Sequence, residues 1–236
     1  MSKRGVILAG GKGTRLQPAT FAMNKHMVPI LNKPMILYPL ETLKRMGFTD
    51  ILIVSGGNHI GAFADFLGDG SEYGVTLTYK VQKDSGGIAQ ALALAENFVG
   101  FSNFAVILGD NIFGPSVDHK MPIPVEGNAG IYIKNVDNAS RFGVYDSGEI
   151  IEKPKGVKKG FAVTGLYIYP RQVFDYIRTM SPSARGEMEI TDVNNHFLKK
   201  QKCSVMYIHD FWSDAGTPES LADVTKWALD SLPPQV

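Results

Sequence analysis

The sequence of 236 residues has little cysteine, no long apolar run and no excess of either charge. Its single cysteine, Cys203, excludes an internal disulfide and a cysteine-rich zinc site. Lysine and arginine number 24 against 23 aspartates and glutamates, which argues against a nucleic-acid partner or an anionic membrane. No stretch approaches the ~20 apolar residues of a transmembrane helix, and the N-terminal run is too short for a signal peptide. We therefore expect a cytoplasmic protein whose anion sites, if any, are local.

The sequence does contain a repeated alternation of apolar strands and helical stretches. "GVILAGG", "DILIVSGG", "VTLTYKV" and "FAVILGDN" indicate strands in the first half, with helical patterns between them. This alternation predicts an α/β fold with a mainly parallel sheet and helices on both faces. In the second half, "DSG" is suited to close a hairpin between Val144 and Ile151. No linker stands out, so residues 1–236 are expected to form one continuous domain.

Four helix boundaries can be predicted from local signals. Pro34 is a good first residue for a helix that would end at Gly47. Thr191 is a candidate N-cap for "TDVNNHFLKK", and Thr217 is a candidate N-cap for the C-terminal helix. The segment 114–127 contains three prolines and is predicted not to form a long helix.

The glycine cluster in "VILAGGKGTRL" follows the first strand and allows three phosphate-binding interpretations. The order does not match a P-loop. A dinucleotide fingerprint would need a helix at once and an early acidic residue, and both are missing. The third interpretation is a loop that wraps a triphosphate with backbone N–H groups, the alternative being a tight turn with solvated basic residues. Three glycines followed by Thr14 and Arg15 favour phosphate binding.

Carboxylates follow two apolar strands, where ligands of open α/β sheets bind. Asp110 comes directly after "FAVILG" and is suited to hold Mg²⁺ over a nucleotide, although a turn aspartate fits equally well. "IHDFWSDAGT" offers Asp210 and Asp214 as a second metal ligand, and spacing does not choose between them. Glu152 and Lys153 could reach a ligand, but without other context they are a surface ion pair. The five histidines are interpreted as structural or surface residues.

Several segments, in this order, resemble sugar-1-phosphate nucleotidylyltransferases. They are "LAGGKGTRLQPAT", "NKHMVPILNKPMILYPL", "VQKDSGGIAQAL", "LGDNIF", "RFGVY", "EKP", "FAVTGLYIYP", "PSARGEMEITDVN" and "DAGTPESL". The resemblance covers nearly the whole chain and implies a Rossmann-like three-layer sandwich with a mixed, mainly parallel central sheet. It also implies a nucleotide-binding half at about 1–112 and a sugar-binding half at about 113–236. The implied reaction joins an NTP (dTTP or UTP) to a hexose 1-phosphate, with glucose as the default, and releases pyrophosphate.

The resemblance also assigns roles to residues. The implied nucleotide contacts are Leu8, Gly10, Gly11, Gly13, Thr14, Arg15, Gln82 and Gly87. The implied sugar-phosphate contacts are Asn111, Gly143, Glu152, Lys153, Val163, Tyr167, Arg185 and Trp212. The implied metal is Mg²⁺, held by Asp110 and Asp214, and the implied catalytic set is Arg15, Lys25, Lys153 and Asp110.

Some features depart from the resemblance. The chain stops soon after "ESLADVTKWALDSL", so feedback regulation and a tetramer are not carried over, and a homo-oligomer is left open. "KDSGG" differs from the usual sequence after the base-reading glutamine, so the choice between dTTP and UTP is also open. Two alternative functions are a nucleotide-sugar sensor or assembly subunit on the same fold and an NAD-dependent oxidoreductase.

Overall fold

The computed structural model describes residues 3–57 and 59–231, and a nine-stranded sheet forms its centre. The strands are β1 (Lys3–Leu8), β2 (Pro29–Ile30), β3 (Lys33–Pro34), β4 (Phe48–Gly56), β5 (Thr76–Gln82), β6 (Phe104–Leu108), β7 (Asn111–Phe113), β8 (Ala129–Val136), β9 (Gly143–Asp146), β10 (Glu149–Glu152), β11 (Gly160–Tyr169), β12 (Cys203–Tyr207) and β13 (Trp212–Asp214). The helices are α1 (Leu37–Arg45), α2 (Ile60–Leu67), α3 (Ile88–Ala93), α4 (Val173–Ile177), α5 (Ile190–Lys199) and α6 (Pro218–Ser231). Among these helices, none has the length and apolarity needed to cross a membrane.

The sheet is mixed, as the sequence predicts. Its main path runs β10-β9-β11-β6-β1-β4-β5, and β8 joins it through β11 and carries β12. The neighbours β6, β1, β4 and β5 are parallel, while β11 is antiparallel to β6, β8 and β9. The hairpin predicted around "DSG" is present as β9 and β10. Two short ladders, β2 with β3 and β7 with β13, lie outside the sheet.

Alternating side chains of the sheet bury two separate apolar layers. In β1, Ile7 packs into a cluster with Leu40 of α1 and Phe63 of α2. Its neighbour Val6 points the other way, into a cluster with Phe197 of α5 and residues of α3 and α4. This is the period-2 alternation of a strand that is covered on both faces. The three-layer arrangement is therefore confirmed.

The register of β1 and β6 brings two strand ends together. Leu8 pairs with Leu108 in the parallel ladder, and the Gly109 N–H donates to the Leu8 carbonyl at 2.9 Å. The glycine cluster and Asp110 therefore leave the sheet side by side at its carboxyl edge. Ligands of open α/β sheets bind at this edge.

The start of helix α1 differs from its prediction. Helix α1 begins at Leu37, whereas Pro34 pairs with Pro29 in the short β2–β3 ladder. The ladder takes precedence because proline fixes a φ angle that an edge strand accepts as readily as a helix does. The predicted stop is confirmed: Gly47 follows the helix with a φ of 85°, in the region that glycine adopts most readily.

The two threonine predictions have different outcomes. Thr191 does not cap α5, which starts at Ile190 after Glu189, because the Thr191 hydroxyl donates to Glu152 instead. Thr217 does cap α6, its hydroxyl accepting a hydrogen bond from the Ser220 N–H at 3.2 Å. Residues 114–127 contain no helix, as their prolines predict.

Candidate active site

A cleft of about 420 Å³ lies at the carboxyl edge of the sheet. It collects almost every residue proposed from the sequence as a ligand contact. Those that line it are Leu8, Gly10, Gly11, Arg15, Lys25, Gln82, Gly87, Asp110, Asn111, Gly143, Glu152, Lys153, Val163, Tyr167, Arg185, Trp212 and Asp214. Gly13 and Thr14 are not part of this lining. They begin a short 3-10 turn beside the cleft, with Gly13 at its N-cap.

The glycine loop has the backbone that only glycine adopts easily. Gly11 and Gly13 have φ angles of 99° and 62°. A Cβ on Gly13 would lie 2.8 Å from the Lys25 Cβ, so this glycine also makes room for the lysine. The tight passage brings Lys25, which lies on a 3-10 turn from Lys25 to Met27, against the loop.

Lys25 forms an ion pair with Asp110 at the floor of the cleft. The lysine Nζ lies 2.5 Å from Asp110 Oδ2, and the two side chains are only 15% and 13% exposed. Asn24 holds the turn by accepting a hydrogen bond from the His26 N–H at 2.8 Å. The pair is thus largely shielded from water, and charges interact more strongly in such an environment than they do in water.

Asp214 reaches the same place from the short β13 strand. It lies opposite Asn111 in the β7–β13 ladder, and the Ala215 N–H donates to the Asp110 carbonyl at 2.7 Å. Arg141 donates two hydrogen bonds to the Asp214 carboxylate, at 2.8 and 3.0 Å. Each of the two carboxylates therefore has its own cation.

Gly216 marks the point where these charges converge. A Cβ at this position would lie 3.1 Å from Asp214 Oδ2, 3.2 Å from Arg15 Nη2 and 3.5 Å from Asp110 Oδ2. The absence of a side chain leaves this space open. Two carboxylates and an arginine thus surround one small volume, as a site for a phosphate and its counter-cation requires.

The environment shifts the pKa values of the two carboxylates in opposite directions. Burial opposes ionisation of Asp110, but the charge of Lys25 and hydrogen bonds from Lys25 and Asn111 hold its pKa well below the ordinary value. Burial and the nearby charge of Asp110 raise the pKa of Asp214 above its ordinary value, against the influence of Arg141. The site therefore keeps Asp110 ionised and makes ionised Asp214 more costly.

His26 is buried behind this pair. Burial, assisted by the charge of Lys25, lowers its pKa to about 3, so the imidazole is neutral at physiological pH. Its Nδ1 lies 2.7 Å from Asn24 Oδ1. This fits the structural role predicted for the histidines, although His26 also lines the cleft.

Asn111 connects Asp110 to the wall of the cleft. Its Nδ2 donates to Asp110 Oδ1 at 3.0 Å, and its Oδ1 accepts from the Gly165 N–H and the Trp212 Nε1, both at 2.8 Å. Gly165 lies where the β8–β11 register is interrupted. Asn111 satisfies the N–H exposed by that irregularity, so its orientation is fixed.

Glu152 is the centre of a charged network at the opposite end. It accepts from the Thr191 hydroxyl at 2.5 Å and from Arg185 at 3.1 Å, and it lies 3.4 Å from Lys153 Nζ. Arg185 also binds Glu189 at 2.7 Å. Lys153 adopts a left-handed φ of 45°, a strained conformation that is common at binding sites.

Four residues with direct partners in the site were not predicted from the sequence to belong to it. Arg141 binds Asp214, Thr191 binds Glu152, Glu189 binds Arg185, and Gln90 binds Gln82. Gln90 is a polar residue in an Ala-rich helix, and Arg141 precedes the strand of "FGVY". Those local signals mark polar positions. The partners of Arg141 and Thr191, however, lie 73 and 39 positions away in the chain.

The described part of the chain contains no group of three or more His, Cys, Asp or Glu side chains that could hold a metal ion. A protein-only metal site is thus not present among residues 3–57 and 59–231. Asp110 and Asp214 remain as two carboxylates that face one volume. Such a pair suits a cation that takes its other ligands from water and a bound phosphate.

The family model for nucleotidyl transferases matches residues 4–231. The chain therefore belongs to the nucleotidyl transferase family and is an enzyme of that class. This membership decides against the alternative of an NAD-dependent oxidoreductase.

Individual relatives are similar to this chain over most of its length. A glucose-1-phosphate thymidylyltransferase from Neisseria meningitidis serogroup A is 40% identical over 235 residues, covering 95% of this chain and 82% of the relative. One from Mycolicibacterium smegmatis is 41% identical over 233 residues, covering 94% and 81%. A Bacillus anthracis protein proposed to be a glucose-1-phosphate thymidylyltransferase, solved with a sucrose, is 43% identical with a TM-score of 0.88, covering 99% and 98%.

A UDP-glucose pyrophosphorylase solved with UDP-glucose has the same fold at lower identity. Its TM-score is 0.81 at 24% identity, and the match covers 98% of this chain and 99% of that one. At this identity the likeness supports the architecture only. The mixed, mostly parallel sheet with helices is thus shared among nucleotide-sugar pyrophosphorylases.

Proposed function

We propose that this enzyme condenses dTTP or UTP with a hexose 1-phosphate, glucose 1-phosphate first of all, to give an NDP-sugar and pyrophosphate. The observation that carries the proposal is the convergence of Arg15, Asp110 and Asp214 around Gly216, with Lys25 paired to Asp110. The names of relatives at about 40% identity support the choice of substrates. The cytoplasm remains the expected location.

The two halves of the chain would divide the work. Residues 1–112 would bind the nucleotide through the glycine loop, Gln82 and Gly87. Residues 113–236 would bind the hexose phosphate through the Glu152 network. The cleft residues Gly143 and Glu152 pair across the β9–β10 hairpin, which supports a shared role on the sugar side.

The reaction needs no general base. The phosphate of a sugar 1-phosphate is already largely dianionic at neutral pH, because its second pKa is about 6. Its oxygen attacks the α-phosphorus of the NTP as the bond to pyrophosphate breaks. Arg15 and Lys25 would stabilise charge on the NTP, while Lys153 and Arg185 would hold the sugar phosphate in line.

The donor set fits Mg²⁺. Asp110 and Asp214 would hold it, and their separate cations, Lys25 and Arg141, would then be released toward phosphate oxygens. When bound, the ion would neutralise charge on the triphosphate. The proposal predicts that a chelator stops turnover and that added Mg²⁺ restores it.

The test is a matrix of NTPs against sugar 1-phosphates with Mg²⁺, read as pyrophosphate release. We expect the largest rate with dTTP or UTP and glucose 1-phosphate. No release with any pair would contradict the proposal. Tight NDP-sugar binding without pyrophosphate would favour the sensor alternative.

A further inference from the structure

Two glutamine side chains meet behind the glycine loop. Gln82 ends β5, and Gln90 lies in α3 outside the cleft lining. The Gln90 Oε1 accepts two hydrogen bonds, from Gln82 Nε2 at 2.9 Å and from the Gly86 backbone N–H at 3.0 Å. Both donors therefore converge on a single oxygen.

This convergence fixes which end of each amide faces which way. A backbone N–H can only donate, so Gln90 has to present its oxygen to Gly86. Gln82 contacts that same oxygen and has to present its NH₂ group to it. The Gln82 carbonyl oxygen is then left on the cleft side, 2.9 Å from the position of a Cβ on Gly10.

The direction of this amide matters for a pyrimidine base. Uracil and thymine carry a hydrogen on N3, which donates to a carbonyl oxygen. Cytosine has no hydrogen on N3, which only accepts. Its N3 and the Gln82 oxygen would therefore be two acceptors that face each other with no proton between them. A buried hydrogen-bonding group rejects a partner of the wrong polarity more strongly than a merely apolar pocket does.

We propose that Gln90 is a positioning residue for base selection: it holds the Gln82 carbonyl toward the base, so that uracil and thymine are accepted and cytosine is rejected. This inference rests on the proposed function, in which the base of the NTP lies beside Gln82. Gln90 does so without touching the base itself. The Gly86 N–H anchors the Gln90 oxygen, and the helix carries the side chain.

The test compares Gln90→Met with Gln90→Glu. Methionine keeps the length of the side chain but accepts neither hydrogen bond. The Gln82 amide is then free to flip, which exchanges the positions of its NH₂ group and its carbonyl oxygen. Glutamate keeps an acceptor for both Gly86 and Gln82. Calorimetry with UTP, dTTP and CTP measures binding directly, and pyrophosphate release with glucose 1-phosphate measures turnover.

We expect the preference for UTP over CTP to fall about ten-fold or more in Gln90→Met, the effect of one directional hydrogen bond. The change should lie in Kd and KM, with kcat at saturating UTP within about three-fold of the parent. Gln90→Glu should keep the parent's preference within about three-fold. An unchanged preference in Gln90→Met, or an equal loss for all three nucleotides, would overturn the proposal.

A further variant and the parent enzyme separate the remaining outcomes. If Gln90→Met does not fold, Gln90→Ala removes the same acceptor with a residue that favours helix, and the same fall in preference is expected. If the parent binds UTP but forms no pyrophosphate, the proposed reaction fails while the binding preference still tests Gln90. If the parent binds no nucleotide, both proposals are overturned.

Discussion

The two ends of the cleft are built in different ways. At one end, the loop side (residues 8–15 and 82–90), positive φ angles at Gly11 and Gly87 open the backbone. At the other end, the hairpin side (residues 143, 152–153 and 185–191), Glu152 gathers Lys153, Arg185 and Thr191. A backbone surface suits the triphosphate that all NTPs share, and a side-chain network suits discrimination among sugars. Substitutions on the two sides should therefore change different kinetic constants.

The largest effect is expected between the two sides, at Asp214. Asp214→Asn should lower kcat about 1,000-fold, because it removes a charge that would hold the metal. Steady-state pyrophosphate release measures the loss. Asp210→Asn is the matched control: Asp210 accepts backbone N–H bonds from Ser116 and Phe211 and lies outside the cleft lining, so this variant should lose Tm and keep its kcat. The reverse outcome would show that the metal ligand has been misassigned.

On the loop side, Arg15 and Lys12 provide a comparison of two cations in one loop. Arg15 Nη2 lies near Asp110 and Asp214, whereas Lys12 is not among the cleft residues. Arg15→Ala should lower kcat about 100-fold with every sugar phosphate, while Lys12→Ala should stay within about two-fold. Kinetics at saturating substrate separate the two. Equal losses would mean that only the overall positive charge of the loop matters.

On the hairpin side, Thr191 tests the network around Glu152. Thr191→Val keeps the shape but removes the donor at 2.5 Å, so Glu152 loses its fixed orientation. We expect KM for the sugar phosphate to rise about ten-fold, with KM for the NTP unchanged. Thr191→Ser retains the hydroxyl and should restore the parent value. A rise in the NTP constant instead would contradict the division between the two sides.

The smallest effect on turnover, but a clear one on stability, is expected at His26. Burial lowers its pKa to about 3, whereas an unfolded histidine titrates near 6.5. Between these values the unfolded chain binds the extra proton. His26 therefore stabilises the fold above about pH 6.5 and loses that contribution as the pH falls toward 3, by up to about 1.4 kcal/mol per pH unit.

Urea unfolding of the parent and of His26→Gln across this range measures the contribution. The difference in free energy of unfolding should shrink as the pH falls, because glutamine does not titrate. A constant difference would mean that His26 is not kept neutral by burial.

The sequence predicts the parts of the site that depend on strand ends. Asp110 follows β6 after one glycine, the glycine cluster follows β1, and parallel strands bring those ends to one edge. The choice between Asp210 and Asp214 depends on the β7–β13 ladder, which no spacing encodes. The resemblance selected Asp214, and Asp214 is the one that lines the cleft.

Local sequence patterns did not predict the hydrogen-bond partners that lie far away in the chain. Thr191 has the signature of a helix cap, yet its hydroxyl binds Glu152, and the helix starts two residues earlier than predicted, with Glu189 at its N-cap. Arg141 and Gln90 look like ordinary polar residues until the fold brings Asp214 and Gln82 to them. A hydrogen bond between distant segments leaves no periodic trace in either of them, so these roles emerge only from the assembled structure.

In the proposed reaction, the sugar phosphate oxygen attacks the α-phosphorus of the NTP. It is tested most directly with glucose 1-phosphate carrying oxygen-18 in its phosphate, incubated with dTTP or UTP and Mg²⁺, followed by mass spectrometry of both products. We expect all the label to enter the NDP-sugar and the pyrophosphate to be unlabelled. Labelled pyrophosphate, or no NDP-sugar at all, would contradict it.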